Sequence, residues 1–100
     1  MAIKQLMTWN IIRGREQEYF EFVVRKFIPE IQQLGLEPIG AWVTAYGDRP
    51  QILIAAQTGS LSELDLIMTS NEWDELISQL LNYVGDLEFK TVRSRPGFQM

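Results

Sequence analysis

The chain contains neither histidine nor cysteine. Those absences remove a thiolate nucleophile, a Ser-His-Asp triad, zinc sites built on thiolate or imidazole, and a proximal histidine for haem. They also remove any disulfide framework, so nothing points to an oxidising compartment and the cytoplasm is the expected location. Long apolar runs are missing too: stretches such as Ile52 to Ala56 fall far short of the roughly 20 residues of a membrane-spanning helix. The opening residues, Met1-Ala2-Ile3-Lys4-Gln5, lack the basic and apolar blocks of a secretory leader. Positive charge is also scarce: 9 Lys and Arg face 13 Asp and Glu, for a net charge of −4. That balance argues against nucleic acid as a partner.

What is present is a chain of 100 residues, 46% hydrophobic and 22% charged. This is the composition of one compact domain, residues 1–100, able to bury roughly two-thirds of its unfolded surface. Its chemistry is confined to carboxylates, Lys and Arg, hydroxyls, amides, Tyr and Trp.

Hydrophobic spacing divides the chain. Ile3 to Ile12 alternates as a strand, with Ile3, Gln5, Met7, Trp9 and Ile11 on one side and Lys4, Leu6, Thr8, Asn10 and Ile12 on the other. After Arg13-Gly14-Arg15 the period becomes helical, through Phe20, Val23, Val24, Phe27, Ile28, Ile31 and Leu34, a stripe that Tyr19 and Phe22 widen. Pro29 is expected to bend this helix and Gly35 to stop it. Glu37 to Tyr46 reads as a strand and Gly47-Asp48-Arg49-Pro50 as a hairpin turn, with a return strand from Gln51 to Thr58. Ser60-Leu61-Ser62-Glu63 has the spacing of a capping box. It opens a short helix through Met68, and Thr69-Ser70-Asn71 caps a second one carrying Trp73, Leu76, Ile77, Leu80, Leu81 and Val84. Gly85 is expected to end that helix, and Leu87 to Arg95 forms the last strand before Pro96-Gly97.

The order βαββαβ predicts an α+β ferredoxin-like plait with a four-stranded antiparallel sheet. Two helices cover one face of such a sheet, yet all four strands place large apolar residues on both. A second copy stacked on the uncovered face, making a homodimer, is the expected solution.

Several segments together resemble the dimeric α/β-barrel superfamily and, within it, NIPSNAP-like proteins. They are Arg13-Gly14-Arg15, Ile28-Pro29 before Leu34-Gly35, Pro38-Ile39-Gly40-Ala41-Trp42, the Gly47 turn, Gly59-Ser60-Leu61-Ser62-Glu63 and Ser70-Asn71-Glu72-Trp73. The resemblance implies a homodimer whose two sheets close a barrel with helices outside. It implies no settled activity, because the wider superfamily includes cofactor-independent monooxygenases, haem-degrading enzymes and small isomerases. Haem-degrading relatives use an essential histidine that this chain lacks, and no catalytic residue carries over.

The residues themselves offer one candidate pocket: Trp9, Asn10, Trp42, Tyr46, Gln57 and Arg93. Trp and Tyr stack on planar ligands, Asn10 and Gln57 can hold a carbonyl, and Arg93 can fix an anionic oxygen. The simpler alternative makes the aromatics core or interface anchors and the polar groups wet strand ends. Residues 60–88 hold Glu63, Asp65, Glu72, Asp74, Glu75, Asp86 and Glu88 with no Lys or Arg. These read as solvated, well-capped helix faces rather than a metal site. Lys90, Arg93 and Arg95 read as guards of an edge strand. No cofactor is expected. The leading reading is a small-ligand-binding or accessory homodimer taking an apolar or aromatic molecule. The alternative is a cofactor-independent monooxygenase or isomerase acting on an aromatic or polyketide-like substrate.

Overall fold

The alternation of the first strand becomes a strict inside-outside pattern in the computed structural model, which describes residues 2–46 and 49–94. In β1 (Ala2–Ile11) every odd residue from Ile3 to Ile11 is buried and every even one is partly exposed. The chain continues through α1 (Glu16–Phe22), a π-helical turn (Val23–Phe27) and α2 (Ile28–Leu34) to β2 (Glu37–Tyr46) and β3 (Arg49–Thr58). Two short helices, α3 (Leu61–Met68) and α4 (Asn71–Leu80), lead to β4 (Val84–Ser94). The strands lie in the order β2-β3-β1-β4, every neighbouring pair antiparallel. This is the expected ferredoxin-like plait. Among the described residues no helix is long and apolar enough to cross a membrane.

The core lies between the sheet and the helices. Ile3, Met7, Trp9 and Ile11 of β1 and Ile52, Ile54 and Ala56 of β3 meet Tyr19, Phe27, Ile31, Leu64, Ile67, Trp73, Leu76 and Leu80 from the helical layer. Trp9 is its centre: its ring meets Phe27 edge-on at 5.7 Å and Tyr19 at 6.4 Å. Its indole N–H donates to the Tyr19 hydroxyl at 2.8 Å. A buried indole N–H without an acceptor costs free energy, so this bond settles which aromatic α1 must supply.

The first helix centres its buried stripe on what spacing gave as the margin. Tyr19 is buried, whereas Phe20 is 50% and Val24 69% exposed. The cause is the π-helical turn, where the Ile28 amide bonds the Val23 carbonyl five residues back. That widened turn carries one residue more than an α-turn and moves the buried stripe before it one position toward the N-terminus. It immediately precedes Pro29, whose missing N–H and bulky ring are incompatible with a regular ladder to the Arg25 carbonyl. The proline is therefore absorbed by widening the helix. At Gly35 (φ 109°) the helix ends, Gly35 N–H bonding Gln32 and Leu36 N–H bonding Ile31, the Schellman arrangement that needs left-handed backbone.

Three boundaries also differ from expectation. Helix α4 stops at Leu80 in a turn whose Asn82 and Tyr83 amides bond the Gln79 and Leu80 carbonyls. Gly85 therefore ends no helix: β4 begins at Val84, opposite Ile11, and Gly85 pairs with Asn10. Arg49 and Pro50, expected in a turn, already pair with Tyr46 and Ala45 as the start of β3. In β2 the register shifts between Pro38 and Gly40. This bulge turns Pro38 to the helix side with Ala41 and Val43, leaving Gly40, Trp42 and Thr44 on the open side. Gly47, Asp48, Arg95, Pro96 and Gly97 lie outside the described residues.

Tyr19→Phe keeps the ring and removes the acceptor of the Trp9 N–H. It is expected to cost about 1–3 kcal/mol, measured by urea denaturation at pH 7. Burial, partly offset by the bond from Trp9, pushes the Tyr19 phenol from 10.0 up to about 12. The folded chain thus keeps a proton that the unfolded chain releases, and its contribution is complete below pH 10 and lost as pH rises toward 12. Stability measured over that interval should fall less steeply in Tyr19→Phe than in the parent.

Candidate functional site

The six residues singled out by sequence fall on both faces of the sheet. Trp9 points into the helix-covered core with no exposed surface. Arg93 is exposed on the edge strand β4, in register with the inward-facing Ile3. Asn10, Trp42 and Gln57 belong to the open face, through pairings of Asn10 with Gln51, Trp42 with Leu53 and Gln57 with Lys4. Tyr46 pairs with Arg49 at the far end of β2, and its side chain lies outside the described part. Gln57 is four residues along β3 from the Leu53 rung of Trp42, about 13 Å. Among those whose side chains are described, Asn10 and Trp42 lie on neighbouring rungs of one face.

Local structure explains both. Asn10 donates through Nδ2 to the Asp86 carboxylate at 2.8 Å. Asp86 has left-handed backbone (φ 54°) where the β1–β4 register shifts between Thr8 and Asn10. An aspartate tolerates that conformation better than most residues, and the bulge brings its carboxylate to Asn10. Trp42 lies flat over Gly40: a Cβ on Gly40 would fall 2.5 Å from Cη2 of the indole. Trp42 is nevertheless 52% exposed. Around it the open face alternates Leu6, Leu53 and Val92 with Lys4, Thr8, Gln51 and Lys90. A shallow hollow of about 160 Å³ opens there between Leu6, Thr8, Leu53 and the β4 residues Glu88, Phe89 and Lys90.

A larger cleft, about 550 Å³, opens where β1 begins, β3 ends and the helices α2 and α3 meet. Leu34, Leu66 and Ile67 give it an apolar wall, and Glu37, Gln57 and Glu63 supply its polar groups. Of the six residues expected in a pocket, it contains only Gln57. Its volume lies within the range of small-molecule sites.

Glu63 is held in place. Ser60 caps α3 by accepting from the Glu63 amide at 3.1 Å, as the capping-box spacing predicts. In a standard box the glutamate reaches back to the amide of the cap residue. Here Glu63 Oε1 instead accepts from the Gly59 amide at 3.0 Å and the Thr58 hydroxyl at 3.3 Å. Only glycine permits this, because a Cβ at position 59 would stand 2.6 Å from that oxygen. The spacing Ser60-x-x-Glu63 marked the helix start in the sequence, but not the carboxylate's approach to the end of β3. Among the described residues no group of three or more acidic side chains is placed to hold a metal ion.

No protein-family model matches the sequence, and no curated protein matches it. Solved structures do. An uncharacterized NIPSNAP domain protein from Burkholderia xenovorans superposes with a TM-score of 0.72 at 13% identity, over 100% of both chains. A NIPSNAP family protein from Agrobacterium tumefaciens gives 0.74 at 22% identity, over 97% of this chain and 89% of that one. A putative antibiotic biosynthesis monooxygenase from Deinococcus radiodurans gives 0.70 at 15% identity, over 100% of this chain and 98% of the other. At such identities the likeness establishes the ferredoxin-like fold, shared with NIPSNAP proteins among others, and leaves activity to be argued from the residues.

Gly40→Ala should lift the Trp42 indole from its seat, because the ring's far edge occupies the methyl position. In the separated chain, acrylamide quenching of Trp42 is expected to rise, with Trp9 and Trp73 still protected. The cost to the fold of that chain should stay below about 1 kcal/mol, since the ring is half exposed in a single copy.

Proposed function

We propose that the chain is a homodimeric small-ligand-binding or accessory protein whose two copies stack through the open faces of their sheets. One observation carries the reading: Trp42, Leu6, Leu53 and Val92 share a sheet face that no described helix covers. Four strands about 4.8 Å apart and about ten residues long present a planar face of roughly 600 Å². Side-chain relief brings that near the roughly 800 Å² per partner of a standard interface. The mixed face, with Lys4, Thr8 and Lys90 between the apolar groups, resembles an interface more than a core. The isologous contact of a two-fold dimer covers the same surface on both copies at once.

The ligand in this reading is a small, largely apolar molecule, and the cleft bounded by Leu34, Gln57 and Ile67 is its site. The alternative, oxygenation or isomerisation of an aromatic substrate without a cofactor, requires a base poised near neutral pH. Among the described residues the phenol shifted by its surroundings, Tyr19, moves the opposite way and already accepts from Trp9. Binding is therefore favoured over catalysis.

Sedimentation at low micromolar concentration tests the dimer: a species of twice 11.6 kDa is expected. Leu53→Glu should convert it to monomer without loss of far-ultraviolet circular dichroism. A parent protein that sediments at 11.6 kDa across the micromolar range would overturn the assembly.

A further inference from the structure

We infer that the outer edge of β2 is a second contact surface for this chain, where the β2 strands of two copies pair antiparallel about a two-fold axis and join their sheets side by side. The contact is independent of the open face, which a stacked copy covers from above. β2 pairs with β3 along one side, and no described strand pairs with its other side. From Pro38 to Tyr46 the strand carries no charged residue. Soluble proteins protect free edges with lysines and other charges. The opposite edge, β4, has them in Glu88, Lys90 and Arg93. β2 is instead apolar and exposed on both faces: Trp42 is 52% exposed on the open side and Val43 64% on the helix side, with Ala41 exposed beside it.

The absence of charge is what selects a second β2 as the occupant. Two-fold pairing sets each residue against its mirror image, so a charge near the axis meets one of its own sign a few ångströms away. The uncharged run removes that conflict, and Glu37, the one charge of β2, stands at the strand's first residue. With the axis at Trp42, the middle of the run, Trp42 opposes Trp42 on the open side. On the helix side Val43 then opposes Ala41, a large side chain against a small one. Pairing with the β4 edge of another copy would instead set Lys90 and Arg93 against these uncharged residues, so they would lose hydration without gaining an opposite charge. Area sets the strength of the contact. Ten residues at about 3.3 Å each, across a sheet about 10 Å thick, bury on the order of 330 Å² per copy. That is less than half of the roughly 800 Å² per partner of a standard interface. The edge contact is therefore weak and forms at high protein concentration.

Sedimentation velocity and amide hydrogen exchange of the full-length protein, from about 5 to about 500 µM, cover the range in which so small an interface associates. Leu53→Glu blocks stacking of the open faces and leaves the edge intact, so it should pass from one-copy to two-copy species over this range. Val43→Lys in that background sets two ammonium groups about 7–8 Å apart across the axis and should weaken the association about fivefold or more. Val43→Thr, uncharged at the same position, should change it less than about twofold. Far-ultraviolet circular dichroism should be unchanged in both, since Val43 is exposed. Outward-pointing amides of residues 39–45 should gain protection in step with the two-copy species, and those of residues 88–93 should not. Protection of the β4 amides in the same step would place β4 of another copy on β2 and overturn the two-fold pairing. Equal protection of the β2 edge in the one-copy species would show it covered within the chain and also overturn it. The contact fails as well if Leu53→Glu remains one copy throughout, or if Val43→Lys associates as strongly as its parent. Stacking of the open faces is judged separately, by the mass of the unaltered chain at low micromolar concentration.

Discussion

The hydrogen bond from the Trp9 indole to the Tyr19 hydroxyl is the constraint around which the layers are arranged. Trp9 sits in the central strand, flanked by β3 and β4, so whatever fixes its ring fixes the middle of the sheet against the helical layer. A fully buried indole has one polar atom that needs a partner, and the phenol of α1 is the one that meets it. Packing alone would accept any large aromatic at that point. The hydrogen bond accepts only one that carries a hydroxyl, and so sets the rotation of α1 as well as its contact with the sheet.

Much of the architecture was legible because each signal has a local cause. Ser60 and Ser70 announce helix starts through their hydroxyls, Gly35 announces a stop through its left-handed backbone, and the odd residues of β1 announce the buried face. What the sequence hid depends on hydrogen bonds counted across several residues. Phe20, Val23, Val24 and Phe27 make a better amphipathic stripe than the one the protein uses, and only the widened turn before Pro29 shows why Tyr19 displaces Phe20. The bulges beside Pro38 and Asp86 are equally silent in a pattern of alternating residues, yet they decide which face Pro38 joins and bring Asp86 to Asn10.

The candidate site was less legible than the fold for a related reason. Trp9, Asn10, Trp42, Gln57 and Arg93 were grouped by chemical capability, but a sheet sorts residues by parity and register. Trp9 and Arg93 point away from Asn10, Trp42 and Gln57, and Gln57 lies at the opposite end of the face from Asn10. The cleft is built instead from ends of elements: the close of β3, the stop of α2 and the first turn of α3. Gly59 is small enough for Glu63 to reach past the usual capping contact, so a residue that reads as helix punctuation also furnishes a fixed carboxylate.

The π-helical turn makes the first helix sensitive to length rather than to composition. Deleting any one residue between Val23 and Phe27 would restore an α-turn and rotate everything before it by about 100°. Phe20 would then arrive opposite Trp9 with no hydroxyl to offer. A conservative change of side chain in that turn leaves this alignment untouched, whereas a single-codon deletion rewrites it. Within this helix the chain counts residues, and the extra one in the turn keeps a tyrosine in the place of a phenylalanine.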